Sequence, residues 1–134
     1  LTILFTGIGA QVLKFIIYSI KYKTIHPLDI VATGGMPSSH SALTVGMSTI
    51  IFLIEGPSST FFVMLALTFI VFVDAVGVRR TAGEEGLIIH KLIRKTKLKL
   101  TEPHYSMGHT PLQVIVGAVL GFVTGVIIYI IQLA

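Results

Sequence analysis

The sequence predicts an all-α, polytopic membrane protein: one domain over residues 1–134 with four transmembrane helices and a cytoplasmic interfacial segment between the third and fourth. Three observations carry that expectation. Of 134 residues, 53% are hydrophobic and only 12% charged, where soluble domains average roughly 25% charged. The mean hydropathy is +0.89, which is more apolar matter than one small core can hide. Finally, apolar stretches recur near residues 1–20, 41–54, 59–78 and 111–134, and about 20 such residues cross a hydrocarbon core of ~30 Å. Intrinsic disorder is excluded by the same proportions. With no Cys in the chain, a disulfide framework, a thiolate metal site and a cysteine nucleophile are excluded too.

The first span is too long for a secretory signal and lacks a basic lead-in and a cleavage motif; it opens at Leu1 rather than Met and is expected to extend upstream. Gln11 and Lys14 share one of its faces, three residues apart. Lys14 either snorkels to the surface or turns inward as a functional cation. The second span, at about 14 residues and ~1.5 Å each, falls short of the full thickness, so its first turn should begin below the membrane surface. Irregular backbone at that depth is tolerated only where it is buried in protein or lines a wet cavity. The preceding loop is therefore a candidate site.

That loop reads GGMPSSHSA at 34–42. Gly34 and Gly35 permit unusual backbone angles, Pro37 suits the first turn of a helix, and Ser38, Ser39 and Ser41 offer hydroxyls beside unpaired helix N–H groups. An anion is favoured there by the amides and the helix dipole together, with His40 in reach. The third span ends in DAVGVRRTAG at 74–83: Asp74 is still inside it, while Arg79 and Arg80 leave it as membrane anchors or as phosphate ligands, a task that suits a planar guanidinium. The last span opens on GHTPLQV at 108–114, with His109 before it and Gln113 one turn on. Gly117, Gly121 and Gly125 follow at four-residue intervals, clearing one face for close helix packing, within the chain or between copies.

Four spans put segments 21–40 and 79–110 on one side and both termini on the other. Nine of the ten Lys and Arg residues lie on the first side and Lys14 lies within a span. By the positive-inside bias the two long segments face the cytoplasm. The net charge of +4 thus belongs to membrane loops, and no nucleic-acid partner is expected. Around the basic run 91–99, Ile88, Ile89, Leu92 and Ile93 form an apolar stripe beside Lys91, Arg94 and Lys95, as in an interfacial helix. His26 and His104 sit in loops beside prolines and read as solvated. Glu84, Glu85 and His90 lack metal-ligand spacing, so neither a metal nor another cofactor is expected.

Two histidines, His40 and His109, each precede or open a helix at the same membrane face. One can attack phosphorus while the other protonates the leaving oxygen, provided cationic donors neutralise the phosphoryl oxygens.

GGMPSSHSA, D-A-x-G-V-R-R-x-A-G and G-H-T-P, in this order with spans between, resemble the divergent branch of the type 2 phosphatidic acid phosphatase family, relatives of the vanadium haloperoxidases and bacterial acid phosphatases. The resemblance covers nearly the whole chain. It implies that Pro37, Ser38, Ser39 and His40 match the family's Pro-Ser-Gly-His motif, with Ser39 in place of the glycine and His40 as general acid. His109 is similar to the nucleophile that forms a phosphohistidine. The phosphate-binding Arg corresponds to Arg79 or Arg80, and an upstream Lys to Lys14. Departures are equally specific. Arg80 and His109 are separated by 28 residues where the family has a few, the Lys/Arg-Pro signature is missing, and Gln113 stands where the family has an acid that orients the nucleophile. Asp74 is the carboxylate that could substitute in space.

The resemblance thus implies a metal-independent hydrolase of a lipid phosphate or pyrophosphate, with membrane lipids as partners. Two other classes stay open on the residues alone: a non-catalytic protein that binds headgroups or anions or scaffolds an assembly through its glycines, and a transporter built on Lys14 and Asp74.

Overall fold

The computed structural model describes residues 36–96, 100–101 and 107–133; the expected first span with Gln11 and Lys14, and also Gly35, lie outside the described residues. All regular structure among them is helical: α1 (Ser39–Glu55), α2 (Ser59–Val73), a π-helical turn (Asp74–Val78), α3 (Arg79–Thr96) and α4 (Pro111–Leu133).

Serines start the first two helices. The Ser38 hydroxyl caps α1 by accepting from the Ser41 N–H and hydroxyl (3.4 and 2.9 Å), and Ser58 caps α2 through the Phe61 N–H (3.1 Å), each satisfying a donor the helix leaves unpaired. Helix α1 therefore begins at Ser39, two residues ahead of the expected span. Pro37 is fully buried but stands before the cap, outside the helix rather than in its first turn. Between α1 and α2 the chain reverses at Gly56, whose φ of 70° lies where a side chain is strained.

The antiparallel pair α1 and α2 is joined by Phe52 on Phe61 (ring centroids 5.0 Å) and by the buried hydroxyls of Ser48 and Thr68, 3.1 Å apart. Each hydroxyl also reaches the carbonyl four residues back, Thr44 and Met64. With one proton apiece, the two hydroxyls fill two of these three contacts at a time, and the interhelical bond forms when either one donates across rather than to its own helix. Interhelical hydroxyl bonds in bilayers average ~0.6 kcal/mol and reach ~1.7. Thr68→Val should therefore lower unfolding stability by about that range in a detergent titration, and Thr68→Ser should recover most of the loss.

Helices α1 and α4 make the tightest contact. A Cβ built on Gly117 would lie 2.4 Å from the Ser38 carbonyl oxygen, one on Gly121 2.2 Å from that of Ala42, and one on Gly125 3.0 Å from that of Gly46. Both series climb in steps of four, so the helices run parallel and start at the same end. The face that the sequence offers to a second copy is thus occupied by α1 of the same chain, because only glycine admits a backbone this close.

The expected third span, ending at 78, and the interfacial segment after it belong to one helix from Ser59 to Thr96, continuous over 38 residues. No proline interrupts it, and the π turn absorbs one extra residue without ending the hydrogen-bonded ladder. At ~1.5 Å per residue it is about 57 Å long, nearly twice a hydrocarbon core. This helix and α4 are long and apolar enough to cross a membrane, and only 11% and 28% of their most apolar windows are buried. Phe62, Val63, Phe69 and Ile70 on α2 turn outward, an arrangement stable against lipid and costly against water.

Candidate functional site

The helix starts define the site. Because α1 and α4 are parallel, their N-termini meet, and the Ser38 N–H donates to the Gln113 carbonyl at 3.1 Å. Two helix dipoles therefore present their positive ends at one place. Two parallel dipoles repel, and an anion at their common start relieves that repulsion while accepting from the first-turn amides.

His109 lies at this junction, buried to 8% exposure. Its Nδ1 is 3.2 Å from Gln113 Oε1, and the same Oε1 accepts the Thr110 N–H at 3.0 Å. A backbone amide can only donate, so the Gln113 atom between them is an oxygen. An Nδ1–H tautomer of the ring satisfies this contact and leaves Nε2 as the basic nitrogen. Thr110 completes the start of α4, accepting the Gln113 N–H on its hydroxyl (3.4 Å) and the Val114 N–H on its carbonyl (3.2 Å).

The π turn seats this loop. The Arg79 N–H bonds the Asp74 carbonyl five residues back, and a ladder that slips from four to five leaves a carbonyl over. At the slip, Ala75 is buried and its carbonyl accepts the His109 N–H at 3.0 Å. Next to it Gly108 lies on the helix backbone: a Cβ there would come within 2.4 to 2.7 Å of backbone atoms of Arg79 and Arg80. The 28-residue separation of Arg80 and His109 in sequence is thereby closed in space, backbone on backbone.

The other expected residues are distributed around this contact. Ser38 is wholly buried and acts as a cap, and Ser39 is half-buried. His40 is exposed in the first turn of α1; its carbonyl accepts the Thr44 hydroxyl (3.1 Å), and its ring makes no hydrogen bond among the described residues, to His109 or to any other. Arg79 pairs through Nε with Asp74 across the π turn, and Arg80 pairs with Glu84 at 3.1 Å. Both pairs are half-exposed, a setting in which ion pairs contribute ~0–1 kcal/mol, so each guanidinium can be won by a phosphate. The Asp74 carboxylate is paired with Arg79, and Nδ1 of His109 lies against Gln113. Lys14 and Gly35 fall outside the described residues.

Sequence reasoning missed Ala75, Gly108 and Thr110. Gly108 beside a histidine was a readable signal, whereas nothing in DAVGV announces a π turn. An open apolar cleft of about 450 Å³ between α1, α2 and α4 runs from Val45 past Phe52, Leu65 and Phe122. Its lining carries no ionisable side chain, so the chemistry belongs to the helix starts instead.

Fold and surface together define a helical membrane protein, with His109 seated at the joint start of two of its helices. The chain belongs to the divergent PAP2 family, whose model matches residues 1–124. It is also similar to the Uncharacterized membrane protein YuiD of Bacillus subtilis (strain 168), 35% identical over 133 residues that cover 85% of this chain and 82% of that relative. No solved structure matches it significantly.

Proposed function

We propose that the protein is a metal-independent phosphohydrolase of a lipid phosphate or pyrophosphate, set in a four-span arrangement whose segments 21–40 and 79–110 face the cytoplasm. The observation that supports this reading is His109, buried at the joint start of two parallel helices with Nδ1 3.2 Å from Gln113 Oε1. Nε2 of His109 attacks phosphorus, forming a P–N bond as the P–O bond to the leaving group breaks. His40, as imidazolium, gives that oxygen its proton. Water then attacks the phosphohistidine, His40 accepts a proton from the water, and the P–N bond breaks to release phosphate. Helix amides at 39–40 with Arg79 or Arg80 neutralise the phosphoryl oxygens, and Lys14 assists from the first span.

Phosphate release from phosphatidic acid, phosphatidylglycerophosphate and an isoprenyl pyrophosphate, assayed with EDTA, tests the proposal. Turnover in the parent should be lost in both His40→Ala and His109→Ala. Turnover that survives both substitutions ends the proposal. One observation favours a second reading, a headgroup-binding module: Gln113 cannot supply the negative charge that stabilises a phosphorylated imidazolium. Vanadate binding without turnover in the parent would select it.

The seat of His109 makes a separate prediction. Gly108→Ala forces the loop off the Arg80 backbone and breaks the bond to Ala75. A displacement of about 1 Å can cost ~10² in rate, so kcat should fall by about that factor while lipid KM changes little, and the His109 amide should lose protection from hydrogen exchange.

A further inference from the structure

We propose that the outward face of α3 docks on an anionic membrane surface, with Ile88, Ile89 and Leu92 entering the headgroup boundary and Lys91 and Lys95 meeting lipid phosphates. At about 100° per residue, α3 divides into three stripes. Gly83 and Gly86 are buried on the first, where His90 and Ile93 are half-buried. Ile88, Ile89 and Leu92, 57%, 48% and 54% exposed, make the second. Exposed Lys91 and Lys95 form the third, directly beside Ile88. Among the described residues α3 packs on the π turn and makes at most slight contact with α1, α2 or α4, so no helix of the described bundle covers its apolar stripe.

Charge selects the occupant. Three bulky aliphatics flanked by lysines, with Arg94 and Lys95 in the last turn, match an apolar layer overlaid by negative charge, which is an anionic leaflet. A second copy packed in parallel would set these cations against each other. The leaflet is also within reach, since α3 continues from the membrane-type helix α2 through a π turn, a place where helices bend.

The absence of cysteine allows clean labelling. Leu92→Cys carrying an environment-sensitive fluorophore would be placed in the full chain, in nanodiscs of phosphatidylcholine alone or mixed equally with phosphatidylglycerol. Blue-shifted emission and shielding from iodide should appear with phosphatidylglycerol and be weaker without it. Adding Lys91→Gln and Lys95→Gln should lower the docked-to-undocked ratio by roughly 25-fold, about five-fold per cation. Salt at 1 M, where screening acts within ~3 Å, should act in the same direction. Equal shielding in both lipids, or shielding in neither, overturns the proposal. So does shielding that appears only with two copies per disc, which would assign the stripe to self-association. Docking requires no turnover, so its failure is distinguishable from failure of the phosphohydrolase reading.

Discussion

Gln113→Glu is expected to raise the rate of phosphate release, by up to ~10⁴, the factor lost when an amide replaces the carboxylate of a serine-protease triad. The geometry permits this gain because a carboxylate keeps both jobs of Gln113 Oε1, accepting from His109 Nδ1 and from the Thr110 N–H. Only the charge changes. In the proposed attack the ring becomes a phosphorylated imidazolium, a cation that an adjacent carboxylate stabilises and an amide merely orients. The same negative charge sits in the first turn of α4, where the helix dipole favours it. Gln113→Leu separates orientation from charge: it removes the acceptor, frees the tautomer and should lower kcat below the parent. The check is kcat at saturating lipid for the parent and both variants. A Glu variant no faster than the parent would mean that position 113 does not act on a charged ring, and would favour the binding module.

The largest effect on folding is expected from Gly121→Ala. Its Cβ would stand 2.2 Å from the Ala42 carbonyl oxygen, with two further backbone atoms of Ala42 within 2.9 Å, and backbone on a packed helix cannot step aside. Helix α1 must separate from α4, and in lipid, where close van der Waals contact rather than the hydrophobic effect holds helices together, little opposes that separation. Overpacking of a tight core costs about 1–3 kcal/mol and sometimes more; a clash confined to backbone should reach the upper end. Gly117→Ala, at 2.4 Å from the Ser38 oxygen, should cost nearly as much and also displace the Ser38–Gln113 junction. Gly125→Ala should be milder, because its nearest contacts are at 3.0 Å and include the movable side chain of Thr49. Gly77→Ala meets nothing within 4 Å and should leave stability almost unchanged. Unfolding midpoints of the four variants in one detergent series check the order. If Gly121→Ala and Gly77→Ala behaved alike, the parallel α1–α4 ladder would be refuted.

Both predictions rest on contacts whose traces in the sequence were unequal. The spacing of Gly117, Gly121 and Gly125 announced close packing, and its partner series Ser38, Ala42 and Gly46 has the same four-residue step. Yet small residues identify a face without naming what fills it, so contact within the chain and contact between copies could not be told apart. Asp74 was legible as a costly charge in a span. Its pairing with Arg79 rather than with His109 depends on a π turn, and extra-residue turns arise from the balance of packing on either side rather than from any local residue preference.

By itself the sequence determined the helical class, the membrane-type surface and the polar residues worth suspecting. These follow from composition and periodicity, both of which act over a few neighbouring residues. Only the tertiary structure decided that α1 and α4 start together, that Ala75 and Gly108 seat His109, and that Gln113 orients it. Gln113 is one turn from His109, but the other contacts join residues 28 to 79 positions apart, and their energy comes from backbone groups, which every residue but proline carries in the same form.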